Sequence, residues 1–181
     1  MTPPPWRLPG SPVQRLGLLL LALLAVMLLG GRWPAGAAAP ASFEKAPLAI
    51  DTGQQTHHLE VELARSPAQR QFGLMERDRL GERAGMLFLY DRPQPPRSGF
   101  WMYRTRIPLD IAFIDAGGRI AAIHTMQPCG SDDPGDCPVT LAGVTYVAAL
   151  EVNAGFFATN GIGLGDCVTW PGRPPGCRPA D

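Results

Sequence analysis

The sequence predicts a β-rich α+β domain, a compact mixed sheet or open barrel with two short helices. Three observations carry this reading. Apolar runs of strand length recur through residues 59–170, turns of Gly, Pro and Asp separate them, and only two short stretches carry helical start and stop signals. No regular β-α alternation is present, which argues against a doubly wound parallel fold.

LEVELA (59–64) alternates, placing Leu59, Val61 and Leu63 on one face and Glu60 and Glu62 on the other, as a half-buried strand does. Ser66 and Pro67 then supply an N-cap and a first-turn proline, Ala68 and Phe72 share a face, and Gly73 is the stop of a short helix. MLFLY (86–90), LDIAFI (109–114), RIAAIHTM (119–126) and VTYVAALEV (144–152) are further strands. Ala116, Gly117 and Gly118 suit the tight turn of a hairpin, because a glycine takes positive φ freely. Asn153 is expected to cap a second short helix through Ala158, closed by Asn160 and Gly161, and DCVTW (166–170) to form the last strand.

The N-terminus does not belong to this domain. Arg7 and Arg15 precede the run LGLLLLALLAVMLL (16–29), and the small-residue stretch AGAAA (35–39) follows it, which is the order of a secretory signal. The expected organisation is a signal peptide over residues 1–39 and one globular domain over 40–181. The run is shorter than the ~20 residues that span a bilayer, so cleavage near Ala37 or Ala39 is expected, and the protein is membrane-anchored only if the segment is kept. The expected location is periplasmic or extracellular. All four cysteines lie in the exported part, where an even count reads as disulfides. Of the three connectivities we expect the local one, Cys129 with Cys137 across GSDDPGD and Cys167 with Cys177 across VTWPGRPPG. Neither spacing is the short one of a structural zinc site.

Sixteen basic and sixteen acidic residues leave a formal net charge of zero, so no basic field exists to hold nucleic acid by counterion release. The familiar catalytic signatures are missing: no G-x-S-x-G elbow, no H-E-x-x-H helix, no phosphate-cradling G-x-x-x-x-G-K-[ST] and no C-x-x-C pair. The acid-base material is Glu60, Glu62, Asp110, Glu151 and Asp166, with Arg70, Arg77 and Arg104 as partners. Two such carboxylates at the right separation would hydrolyse a glycosidic bond, but a strand carboxylate more often serves structure. His57, His58 and His124 read as ordinary surface or packing residues. Met75, Met86, Met102 and Met126 are soft ligands that suit Cu(I), yet each lies in a segment that wants core filler, and no metal or other cofactor is expected.

LEVELARSPAQRQFGLMERDRL, AGMLFLYD, FWMYRTRIPLDIAFIDAGGRI and ALEVNAGFFATNGIGLGD follow one another in the order and approximate spacing of a known family. Over most of the expected domain the chain resembles the domain of unknown function 192 family (DUF192), largely small secreted or membrane-attached bacterial and archaeal domains. The resemblance implies a compact β-rich domain with short helices and no assigned reaction. In one place the sequence departs from the pattern: where the family usually reads Trp-Met-x-Asn-Thr, this chain has Trp101, Met102, Tyr103, Arg104 and Thr105, so an amide has become a guanidinium.

In an extended segment Trp101 and Tyr103 point one way and Phe100 and Met102 the other, leaving one aromatic pair free to form a platform. Asp110 is expected beside it, held by Arg104, Arg106 or Arg70. The candidate binding set is therefore Arg70, Met75, Trp101, Met102, Arg104, Asp110 and Glu151. It belongs to a non-catalytic binding or accessory module whose partner is a small polar ligand or another envelope protein. The alternatives are a polysaccharide hydrolase with paired carboxylates and a protein-protein adaptor.

Overall fold

The computed structural model describes residues 42–173 and Cys177. The expected signal segment, 1–39, lies outside them. The nine strands among the described residues are β1 (Glu44–Asp51), β2 (Thr56–Ala64), β3 (Ala84–Gln94), β4 (Gly99–Trp101), β5 (Leu109–Ile114), β6 (Ile120–Met126), β7 (Val139–Leu141), β8 (Tyr146–Asn153) and β9 (Cys167–Thr169). Two short helices accompany them, α1 (Pro67–Phe72) and α2 (Phe156–Thr159). Seven strands make one curled sheet in the order β6-β5-β8-β3-β2-β1-β9, and β4 with β7 forms a separate two-stranded ribbon. This is the β-rich α+β half-barrel the patterning predicts.

All pairs in the main sheet are antiparallel except β2 with β3, which are parallel and need a crossover. Helix α1 supplies it. Ser66 Oγ accepts the Gln69 N–H at 3.1 Å while Gln69 Oε1 accepts the Ser66 N–H at 2.9 Å, Pro67 opens the helix, and Gly73 at φ 52° ends it. The β5–β6 turn is also as expected, with Gly118 at φ 88° and its N–H on Asp115 O at 3.0 Å. At Gly85 a side chain would not fit, because a Cβ there would lie 2.6 Å from Glu151 O on the neighbouring strand.

Strand β1 was not among the expected elements, because Pro47 interrupts a segment otherwise alternating as Ala46, Leu48 and Ile50. Its register explains the tolerance. Pro47 lies opposite Glu60, whose own N–H turns away to Arg83 O on the far side, so this pair exchanges no ladder bonds and the proline nitrogen faces the edge. Strand β9 covers only Ala49 to Asp51 of that edge.

The sheet separates two apolar clusters. Inside the curl lie Leu48, Ile50, Val61, Leu87, Ala112, Leu150 and Val168, with Phe157 of α2 and Ile162 packed among them. On the other face Met86, Phe88, Leu109, Ile111, Phe113 and Tyr146 are covered by Leu74, Met102 and Ala142. The sheet's edges approach each other: Val168 N–H donates to Gly118 O at 2.8 Å, Ile120 N–H to Asp166 O at 2.9 Å, and Arg119 bridges to Cys167.

Both local disulfides form, Cys129–Cys137 and Cys167–Cys177, each with Cα atoms 5.6 Å apart, and no described cysteine is free. Among the described residues no helix is long and apolar enough to cross a membrane.

Candidate functional site

Met102 turns into the core and drags the chain around it, which leaves Trp101 and Tyr103 on the outer side with ring centroids 5.5 Å apart. Phe100, on Met102's side, packs edge-on to Phe88 at 4.9 Å. The alternation expected from the sequence therefore holds, and Trp101 keeps 37 % of its surface. Beyond Tyr103 the backbone passes through the left-handed region at Arg104, φ 56°. Glu76 does the same at φ 65°, and its N–H donates to Arg104 O at 2.8 Å. Non-glycine residues enter this region at a cost, and two joined by one hydrogen bond mark a built feature.

The side chains repeat the connection. Arg104 Nη2 lies 2.5 Å from Glu76 Oε1, Arg106 reaches Glu76 Oε2, and Arg106 Nη1 donates to Asp78 at 2.9 Å. Carboxylate hydrogen bonds and charge raise the Arg106 pKa, Asp78 contributing most. Glu76, Arg104, Thr105 and Arg106 form one wall of an open cleft of about 430 Å³, and residues 128–132 of the disulfide loop form the other. Tyr103 Oη donates to Asp132 O at 3.3 Å, tying the aromatic pair to that loop. Trp101 does not line the cleft but stands beside it on the β4–β7 ribbon, opposite Val139.

The other members of the candidate set lie elsewhere. Arg70 closes α1, donates to Leu89 O at 2.9 Å and to Arg65 O, and lies over the Tyr90 ring at 4.8 Å. Burial first and Tyr146 next push the Tyr90 phenol well above its ordinary pKa, against the pull of Arg70. Met75 is half-buried just after α1. Asp110 needs the larger correction. It is 3 % exposed and pairs with no described arginine; Thr125 Oγ1 donates to it at 2.7 Å and the Gly155 N–H at 2.8 Å. Strand β5 is buried on both faces, so a side chain pointing away from Leu109 and Ile111 enters the interior of the curl and not a rim.

Asp110 lies opposite Val152, and Glu151 opposite Ile111, so alternation puts the two carboxyls on opposite faces of the sheet. They do not form a catalytic pair. Glu60 is paired with Lys45 at 2.9 Å, Glu62 with Arg77 at 2.7 and 2.6 Å, and Asp166 accepts the Gly163 N–H at 2.7 Å. Glu151 differs from all of these. It is 4 % exposed between Met86 and Ile111, no described residue donates a hydrogen bond to it, and desolvation raises its pKa to about 8.

Met86, Met102 and Met126 are buried as core filler, and among the described residues no His, Cys, Asp and Glu cluster could hold a metal. Asn153 does not cap α2; its amide donates to Leu80 O at 3.3 Å and Gly81 O at 3.0 Å, and left-handed Gly155 precedes the helix instead. The residue missed by sequence reasoning at the cleft is Glu76, whose signal was its place in GLMERD beside a turn.

Residues 48–170 match the family model DUF192, described as an uncharacterized ACR. No curated protein matches the chain. Among solved structures, the chain is similar to a protein described as a candidate transcription regulator from Sinorhizobium meliloti, with 32 % identity over 74 % of this chain and 99 % of that one and a TM-score of 0.65. It is also similar to a protein of unknown function from Novosphingobium aromaticivorans, with 33 % identity over 77 % and 100 % of the two chains and a TM-score of 0.62.

Proposed function

This chain belongs to the DUF192 family, whose description names no reaction, and we propose that it is an exported, non-catalytic module that receives a small polar ligand in the cleft at Arg104. One observation carries the reading. Arg104 stands at a left-handed position, φ 56°, where the family pattern has Asn, a residue that accepts this conformation far more readily. The arginine costs the backbone about 1 kcal/mol, and its exposed guanidinium at the cleft mouth gives a reason to keep it. Arg104 and Arg106 offer donors to a ligand's oxygens, Glu76 holds both guanidiniums in place, and the Trp101–Tyr103 pair offers an adjoining flat face.

Arg104→Asn tests this directly. We expect its thermal midpoint to equal or exceed that of the unaltered protein, because the strain is relieved, while midpoint shifts produced by a panel of monosaccharides, amino sugars and dipeptides disappear. Trp101→Ala should reduce the same shifts and cost only about 1 kcal/mol, since the ring is outside both core clusters. A loss of about 3 kcal/mol or more in either variant would make the role structural. The absence of any shift with the unaltered protein would remove the ligand reading.

Export is supported by the apolar run at 16–29 and by two disulfides, which persist where thiols are oxidised. Intact-mass measurement of the exported chain should place its start just after Ala37 or Ala39, and a chain keeping residues 1–39 would mean anchoring instead. The adaptor reading is favoured by a different observation. Trp101, Val139 and Leu141 share one face of the β4–β7 ribbon and are all exposed. In that case Trp101→Ala abolishes partner capture and Arg104→Asn does not. The transcription role given to the Sinorhizobium relative is not carried over, since this chain has no net positive charge to hold DNA.

A further inference from the structure

A second large concavity, which shares no lining residue with the Arg104 cleft, lies around Arg83. A cleft of about 500 Å³ runs between the 82–83 turn and residues 153–160, and a smaller one of about 80 Å³ continues it toward His57 and His58. Arg83, Phe156 and Asn160 line both, so the two adjoin across these side chains, and together they are called the trough. Its larger part has the volume of a small-molecule pocket.

The walls are held from the sheet. Asn153 fastens the 80–81 turn through Leu80 O and Gly81 O, and Arg83 O accepts the Glu60 N–H at 2.9 Å. Buried Asp110 holds Gly155 on the other side, fixing the turn that leads into α2. Thus Asn153 and Asp110, two polar side chains displaced from the roles expected of them, build this trough. Such fixing lowers the ordering cost of binding.

Its chemistry is that of a donor site. Arg65, Arg77, Arg104 and Arg106 each have an acidic partner, whereas Arg83 forms no ion pair among the described residues. Arg79, Arg92 and Arg97 are also without one, as are Arg70, Arg119 and Arg173, which donate to backbone carbonyls instead, but none of these lines either part of the trough. Thr56, His57, His58, Thr159 and Asn160 share the lining with Arg83, although His57 and His58 are neighbours on β2 and so point to opposite faces of the sheet; Glu82 is the one acid of the lining and the half-buried Phe156 an apolar wall. A planar, exposed guanidinium without an acidic partner matches the oxygens of a carboxylate or phosphoryl group.

We propose that this trough is a second binding site, for a small oxyanion-bearing ligand whose apolar body lies on Phe156 and whose oxygens pair with Arg83. The site is independent of the Arg104 cleft. Benzoate, phenyl phosphate and inorganic phosphate are the probes, read by backbone amide shifts in NMR titrations of the disulfide-bonded exported domain. At least one of the two aromatic probes should move amides of residues 57–58, 82–83 and 154–160 saturably, with a dissociation constant of about 1 mM or tighter. Preference between them separates a carboxylate from a phosphoryl ligand, and inorganic phosphate should bind more weakly than phenyl phosphate because it lacks the body for Phe156. Arg83→Gln should weaken the better probe at least about tenfold while leaving the thermal midpoint within a few degrees. Arg104→Asn should leave this titration unchanged. Linear, unsaturated shifts with every probe, or saturation undiminished in Arg83→Gln, would overturn the proposal.

Discussion

Replacing Glu151 by Gln is expected to flatten the pH dependence of this domain's stability between pH 5 and pH 8. The carboxyl sits between Met86 and Ile111 with no described hydrogen-bond donor, and desolvation raises its pKa to about 8 from the ordinary 4.5. The folded state therefore holds a proton that the unfolded chain releases. Stability from this group is fully present below about pH 4.5 and is lost as the pH rises through about 8, up to an upper bound of about 5 kcal/mol. Urea denaturation of both proteins at the two pH values gives the result. The difference between pH values is the useful quantity, since the burial cost of the amide itself cancels. The original chain should lose several kcal/mol more than the Gln variant, and parallel profiles would show that Glu151 ionises freely in the fold.

Asp110→Ala should cost about 3 to 5 kcal/mol, comparable to deleting a large core side chain. Removing the carboxylate leaves the Gly155 N–H without its acceptor and takes a partner from Thr125. Thr125→Ala should cost only about 1 kcal/mol, because Gly155 still donates to Asp110 and position 125 is exposed. Denaturant midpoints of the two variants measure this asymmetry. Equal, small losses would mean that Asp110 is not the group that holds the turn into α2. The amides of residues 154–160 should also shift in Asp110→Ala, as the trough loses one of its anchors.

Strands β2, β3, β5, β6 and β8 were legible because each carries enough apolar residues for a period to show, and α1 because its capping box and proline are local signals. The ribbon β4–β7 was not, since three residues a side carry no period and its partner is forty residues away in sequence. The aromatic alternation at 100–103 was readable without the ribbon, because any extended segment points successive side chains to opposite sides. Partnering was not. Asp110 and Asn153 have the composition of a rim acid and a helix cap, and only the tertiary neighbours Thr125, Gly155, Leu80 and Gly81 reveal that they hold turns in place. The left-handed twist at Glu76 and Arg104 was equally hidden, because neither residue type announces it.

The approach of the sheet's two edges has a consequence for the time order of folding. The β5–β6 hairpin closes over a few residues and forms early, but the bonds from Val168 to Gly118 and from Ile120 to Asp166 join segments nearly fifty residues apart. Their loop-closure entropy is recovered only after β8 has docked on β5 and β3. The curl is therefore expected to shut last, by the strand that carries Cys167. The cysteine of the closing strand is then expected to stay reachable by oxidants until the interior is assembled, so that formation of the Cys167–Cys177 bond records the completion of the fold rather than directing it.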